Sequence, residues 1–426
     1  MSPSIFSVVS TALAVSHVAL SLLLPTLNSA GRDSSSDPNS LVDVFSETKG
    51  VWSIKQARST ESSPDGPLAL ASLYTKYGIV VPGELDATMT RRWKRDSVSA
   101  AIKGSIDNSF AVSTRVGDSN KRFNLIFDTS SAGVWMLAKE AISNDFQEPY
   151  TPGGSISSGL MQGYSWQIEH LNGKAASGDV YRDSISFGTR KRSLGCQNQA
   201  IQVARSSYGF ETAVGMSGVM GMAFSSRNPV RPEPQLNFFD NVVDQLEEKV
   251  FTVDMKHFVA GTVEFGSIDS DKYTGDIGYT DVFNEDGYWN FTVGGLTSKA
   301  KPSGTGTEYA VADTTSPLVM VPMPYIIEYY GKVPGARWSD RYGGVIFPCD
   351  SEMPDFTFDV GGVEIAIPAL YMKFSIFDGN GDYCFGGIQS SHELGFSLIG
   401  SIAFKSAFVV FDPVKSRIGW ARKQSV

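Results

Sequence analysis

Leu125-Ile126-Phe127-Asp128-Thr129-Ser130-Ser131 and Ala310-Val311-Ala312-Asp313-Thr314-Thr315-Ser316 carry one pattern twice, 185 residues apart. Each is an apolar run that ends in Asp-Thr and continues with two small hydroxyl residues. Each then returns to apolar chain, Val134-Trp135-Met136-Leu137 in the first case and Leu318-Val319-Met320-Val321 in the second. Runs of this length and composition read as buried strands. A carboxylate at the tip of a buried strand is costly unless it has partners. Two such tips in one chain make Asp128 and Asp313 each other's partners. Two acids placed side by side cannot both ionise, so they share a proton, and such a pair can activate a water.

The repeat extends past the two Asp tips. Val219-Met220-Gly221 follows Asp128 with Gly221 93 residues on, and Leu398-Ile399-Gly400 follows Asp313 with Gly400 87 residues on. The same order at nearly the same spacing predicts two duplicated lobes, each bracing its carboxylate loop with a second Gly-ended strand, and a cleft between them. The fold class expected is mainly β. Short β-branched and aromatic runs recur between Gly, Asp, Asn and Ser clusters, among them Val112–Val116, Phe123–Phe127, Trp166–Leu171, Gly261–Phe265, Tyr288–Val293 and Phe408–Phe411. A helix is expected over Phe239–Val250, where Phe239, Val242, Val243 and Leu246 recur at helical spacing.

The N-terminal third reads differently. Ser10–Leu24 is largely apolar and is followed by Pro25 and the small-residue end Asn28-Ser29-Ala30, the pattern of a secretory leader over residues 1–30. It is too short for a confident membrane span, and no other segment qualifies. Residues 31–66 are rich in Ser, Asp, Glu and Pro and are expected to be flexible. Gly66–Tyr77 reads as a helix, with Pro67 in its first turn and Gly78 closing it. Arg91-Arg92-Trp93-Lys94-Arg95 then precedes Asp96. Behind a leader and a helical segment, Lys94-Arg95 in a polar loop reads as a processing site, with the mature chain starting at Asp96. Three pairings are open to Cys196, Cys349 and Cys384; in an oxidising compartment one disulfide and one free thiol are expected. Cys349 and Cys384 flank a hairpin-like stretch, Phe356–Phe377, and are the expected pair.

With these landmarks in order, the chain resembles the secreted fungal type of pepsin-like aspartic endopeptidase over nearly its whole length. Gly66-Pro67-Leu68-Ala69-Leu70 and Lys76-Tyr77-Gly78 resemble the family's propeptide, and Lys94-Arg95 its maturation site. Trp166-Gln167-Ile168, Ser177-Gly178-Asp179-Val180-Tyr181, Gly218–Phe224, Glu264–Ser270, Tyr273-Thr274-Gly275, Leu398–Phe404 and Phe408–Asp412 are similar to further family landmarks. The resemblance implies a bilobal acid-protease fold, with a signal peptide at 1–30, a propeptide at 31–95, an N-terminal lobe at 96–275 and a C-terminal lobe at 276–426. It implies that Asp128 and Asp313 are the catalytic pair. The ionised one takes a proton from the shared water as that water attacks the scissile carbonyl, and the protonated one donates to the carbonyl oxygen. Thr129 and Thr314 match hydroxyls that bond across to the opposite loop, and Ser131 and Ser316 match those on the outer carboxylate oxygens. Lys76 matches the propeptide cation that sits against the unpaired carboxylates before maturation. The resemblance also agrees with a Cys349–Cys384 bridge and a free, buried Cys196.

Several positions depart from the family pattern. Ser130 and Thr315 stand where the family has Gly in both Asp-Thr-Gly loops, and their side chains can crowd carboxylate and substrate. His170 and Leu171 stand in the flap in place of Tyr and Gly. The flap Tyr of the family bonds the indole of a Trp that matches Trp135; neutral His170 accepts that bond and imidazolium cannot. Ser401 replaces an Asp. A catalytically impaired homologue that binds peptides or a partner protein in the cleft is therefore the alternative to a secreted endopeptidase made as a zymogen.

No competing chemistry is present. The net charge of −9 argues against a nucleic-acid partner and suits work at low pH. The histidines of the mature region, His170, His257 and His392, have no metal-ligand spacing, and no nucleophile elbow, phosphate loop or dinucleotide fingerprint appears. No cofactor and no metal are expected. The expected partners are a protein or peptide substrate and the chain's own propeptide, in a monomer without membrane association. The expected destination is secretion to the medium or cell wall, with the vacuole as the other end point. Asn290-Phe291-Thr292 is an N-glycosylation sequon within an apolar strand pattern.

Overall fold

The computed structural model describes residues 46–48, 50–58, 64–96, 110–118, 121–142, 147–169, 175–188, 193–208, 215–257, 260–297, 308–376 and 381–424, all within the compact unit Leu41–Val426. Strands dominate. In the first half they are β1 (Ser46–Thr48), β2 (Val51–Arg58), β3 (Phe110–Val116), β4 (Arg122–Asp128), β5 (Val134–Leu137), β6 (Gly159–Glu169), β7 (Ala175–Gly188), β8 (Ser193–Tyr208) and β9 (Gly218–Gly221). Among the described residues, no helix is long and apolar enough to cross a membrane.

The internal repeat of the sequence is a repeat of topology. β4 runs parallel to β9, with Asp128 opposite Gly221, and β9 turns its other edge antiparallel to β5. In the second half Glu308–Ala312 runs parallel to Ser397–Ile399, and that strand pairs antiparallel with Val319–Val321. The next neighbour also corresponds: β5 is parallel to β8, and Val319–Val321 is parallel to Ile388–Ser390. The two glycines close the motif because nothing larger fits. A Cβ on Gly221 would lie 2.4 Å from the Ser131 carbonyl oxygen, and one on Gly400 would lie 2.1 Å from that of Leu318. Apolar side chains of these strands, such as Leu125, Phe127, Val319 and Leu398, are fully buried.

Three expectations need correction. The stretch 31–66 is not uniformly flexible: β2 is a full sheet member, antiparallel to Thr262–Phe265 on one side and to β3 on the other. Its alternation explains this, since Ile54 and Gln56 point inward and are buried. The helix expected over Phe239–Val250 is only α3, Phe238–Val242, capped by the Asn237 side chain and followed by a 3-10 turn. Beyond it, Glu247 donates its amide to Gly50 O and Glu248 to Gly266 O, so tertiary backbone bonds replace the helical ones. Lys94 and Arg95 do not lie in a loop but in the last turn of a helix, α2 (Gly83–Asp96). Its buried Leu85, Thr88 and Met89 recur at helical spacing, and Thr88 donates to Arg341 O at 3.0 Å.

The helix expected at Gly66–Tyr77 is present as α1 (Gly66–Lys76). Asp65 caps it by accepting from Leu68 N, and Gly78 closes it at φ +73°. The Cys349–Cys384 bridge is also present, with Cα atoms 5.0 Å apart. It ties the residue that follows the strand Gly344–Pro348 to that strand's antiparallel neighbour, Tyr383–Gly386. Cys196 is free and half-buried, and burial pushes its thiol up.

Candidate active site

Asp128 ends β4, and Asp313 follows the strand Glu308–Ala312. Each Asp accepts a bond from the amide two residues on, Ser130 N and Thr315 N, both at 2.9 Å, which bends the chain into a turn at the strand tip. The two turns are tied to each other by their threonines. Thr129 Oγ1 donates to Ala312 O at 2.9 Å and accepts from Thr314 N at 3.1 Å. Thr314 Oγ1 donates to Phe127 O at 2.9 Å and accepts from Thr129 N at 3.1 Å. Both hydroxyls are fully buried. This reciprocal set satisfies four buried backbone groups and fixes one loop against the other.

The carboxylates face each other across shared partners. Thr315 Oγ1 lies 3.0 Å from Oδ1 of Asp128 and 3.0 Å from Oδ1 of Asp313. Lys76 Nζ, at the end of α1, is 2.9 Å from Asp313 Oδ2, 3.5 Å from Asp128 Oδ1 and 2.5 Å from Thr315 Oγ1. Tyr77 donates its hydroxyl to Asp313 Oδ2 at 2.8 Å and packs against the rings of Tyr288 and Phe396. Nothing in the pattern of two acids pointed to Tyr77; the signal available was its place beside the cation.

The outer shell is asymmetric. Ser316 Oγ donates to Asp313 Oδ2 at 2.5 Å, whereas Ser131 Oγ, expected to do the same for Asp128, is buried without a partner. Ser130 bonds the other oxygen, its hydroxyl lying 2.6 Å from Asp128 Oδ1, the inner oxygen that Thr315 also reaches. Neither Ser130 nor Thr315 has positive φ, so a side chain at these two positions carries no backbone strain. The buried hydroxyl of Ser401 has no partner, while its amide donates to Ser316 O at 2.7 Å.

Burial alone would raise the Asp313 carboxyl. The Lys76 ammonium, the Ser316 hydroxyl and the Thr315 amide outweigh it and hold the group down, to about 2. Burial would likewise lower Lys76, but the charges of Asp128 and Asp313 keep its ammonium above the ordinary lysine range. Tyr77 is pushed well above the usual phenol value by burial and by Asp313.

A cavity of about 640 Å³ opens beside the pair, lined in part by Trp135, Gln202, Arg227, Asn228, Arg231 and Tyr288. Trp135 lies on β5 with its ring 6.1 Å from that of Trp166. Arg227 stacks over Tyr288 at 3.5 Å. His170 and Leu171 lie outside the described residues. Among the described residues, no group of His, Cys, Asp and Glu could hold a metal ion.

Comparison with known proteins follows the same lines. The chain is 36% identical to endothiapepsin of Cryphonectria parasitica over 387 residues, spanning 88% of this chain and 91% of that protein. It is 36% identical to penicillopepsin-1 of Penicillium rubens, spanning 89% of this chain and 94% of that one. It is 34% identical to aspergillopepsin-1 of Aspergillus fumigatus, spanning 90% and 95%. The solved aspartic proteinase of Irpex lacteus has the same fold, with a TM-score of 0.60 at 18% identity, over 75% of this chain and 95% of that one. The sequence pattern of the family described as eukaryotic aspartyl protease matches residues 109–423, and with the relatives above it shows that this chain belongs to the eukaryotic aspartyl protease family.

Proposed function

We propose that this chain is a secreted aspartic endopeptidase made as a zymogen, with Asp128 and Asp313 as its catalytic pair. The observation that carries the reading is the convergence of two carboxylates from duplicated loops on one hydroxyl and one ammonium. With the prosegment removed, the pair loses its cation and must share a proton, the state that activates a water between them. The ionised member takes the water's proton; the protonated member donates to the scissile carbonyl oxygen and then assists the leaving amine. Thr129 and Thr314 hold the two carboxyl groups in register, and Ser316 and Ser130 orient them. Trp135 lines the substrate cleft. Extended peptides with apolar side chains about the cleaved bond are the expected substrates.

In this reading residues 1–30 are the leader and 31–95 the prosegment, with Lys94-Arg95 the processing site. The lobes are 96–275 and 276–426. The relatives named above carry pepsin-type names, and their similarity supports the reading.

A second reading is a homologue that binds peptides without cleaving them. The side chains of Ser130 and Thr315 favour it, because both stand within hydrogen-bond reach of Asp128 where water and substrate must approach. Incubation with an unfolded protein at about pH 4, with and without a statine-type transition-state mimic, separates the two. Cleavage that the mimic blocks and that D128N abolishes is expected. No cleavage by the wild type, or a D128N protein as active as wild type, sinks the enzyme reading.

A further inference from the structure

Thr315 stands at a position where its hydroxyl reaches three charged groups at once. Its Oγ1 is 3.0 Å from each inner carboxylate oxygen and 2.5 Å from Lys76 Nζ. Lysine only donates, so Oγ1 accepts from Lys76 and gives its single proton to one carboxylate. Once Lys76 leaves, that accepting lone pair is open to a proton from the second carboxyl. The hydroxyl then links the pair in series. The protonated Asp donates to Oγ1, and the Thr315 O–H donates to the ionised Asp. Passing each proton one place along this chain exchanges which Asp is protonated, with no atom gained or lost.

We propose that Thr315 is a positioning residue of the dyad, whose hydroxyl bridges the two carboxylates and so widens the pH range over which they hold one proton between them. This deepens the peptidase reading and rests on Asp128 and Asp313 acting as a pair. The reason is a count of bonds. In the singly protonated pair the bridge makes two hydrogen bonds, one of them to a full negative charge, where such bonds are strongest. In the doubly ionised pair it serves only one carboxylate, and in the doubly protonated pair its bonds join neutral groups. Removing the bridge therefore raises the lower titration of the pair and lowers the upper one.

The other charged and titratable groups about the dyad do not supply this link. Lys76 and Tyr77 lie on the prosegment side, and Tyr288, with Arg227 stacked on it, and Asp286 stand at the cavity wall. Ser130 bonds Asp128 alone through its side chain.

The test compares wild type, T315V, T315S and T315A, each expressed as the whole chain and its secreted product titrated from about pH 2 to about pH 7. Two quantities are read: kcat/KM on a peptide, and the affinity for a statine-type peptide whose hydroxyl must also sit between the carboxylates. Valine keeps the shape of threonine and loses only the hydroxyl. T315V is expected to draw each limb of the bell inward by about one pH unit, whereas T315S keeps the wild-type limbs. Unchanged limbs in T315V, or limbs in T315S as narrow as those of T315V, overturn the proposal. T315A replaces T315V if thermal unfolding shows that valine is not tolerated, and its limbs are read in the same way. A wild type that never cleaves defeats the peptidase reading, and the statine titration still decides the role of Thr315.

Discussion

Single residues set the register and charge of the site. Thr314 is the sharper of the two tests for register. Its hydroxyl donates to Phe127 O and accepts from Thr129 N, all buried. Substitution by valine leaves one buried carbonyl and one buried amide unmatched. T314V should lower the unfolding free energy in urea by about 2–5 kcal/mol and reduce turnover through loss of carboxylate register. A stability within experimental error of wild type would show that the crossed hydroxyls are dispensable. Charge is set by Lys76. Asp313 titrates at about 2 in this form, below the usual carboxylate value of about 3.9. A carboxylate depressed by docking stabilises the docked state fully above its undocked value, and that stabilisation is lost as pH falls through the docked one. Docking of the proposed prosegment should therefore weaken as pH falls towards about 2, read as amide hydrogen exchange over residues 66–77. K76M should abolish most of that slope; an identical slope in K76M would place the titration elsewhere.

Elements act through how tightly they seat. α1 has glycine at its first position because its N-terminus presses on a fully buried phenylalanine: a Cβ on Gly66 would lie 2.3 Å from the Phe385 ring. The Gly66 amide donates to Ser375 Oγ at 2.8 Å, so the helix start is pinned to the strand Lys373–Ile376. G66A should weaken docking of α1 by about 1–3 kcal/mol, seen as faster proteolysis of the prosegment at neutral pH with the rest of the chain unaffected. The disulfide belongs to the same scale. It spans 35 residues, and loop-closure entropy for that length gives about 4 kcal/mol. The double substitution of Cys349 and Cys384 by serine should lower stability by roughly that amount, measured by urea unfolding at a pH where the prosegment remains docked.

For the whole molecule, the segment proposed as the prosegment is woven into the sheet as well as laid across the site, since β2 sits between β3 and Thr262–Phe265. On the zymogen reading, maturation must peel a strand from the sheet in addition to breaking the Lys76 contacts. Replacing Lys94 and Arg95 by alanine should leave a product that retains its prosegment, identified by N-terminal sequencing and mass, where the wild-type product begins at Asp96. A wild-type product that begins elsewhere would move the processing site. Much of this architecture was legible in sequence. The repeated apolar-Asp-Thr tips and the Gly-ended strands pointed to the duplicated β topology, because a buried strand and its close-packing glycine leave a local pattern of residue types. The helix at Gly66 was legible from its Pro and Gly punctuation. The short α3 and the strand at Val51–Arg58 were not, because backbone bonds to distant residues decided both.

The sequence by itself determined which two carboxylates pair, since each ends a repeated segment; the crossing threonines and the lysine against them were expectations of the family resemblance. Only the tertiary structure decided what Ser130 and Thr315 do. Read along the chain they are missing glycines; in space the Ser130 hydroxyl bonds the inner oxygen of Asp128, and the Thr315 hydroxyl spans both acids. The physical reason is that a hydroxyl's partners are fixed by distances of about 3 Å between loops far apart in sequence, which no local pattern records.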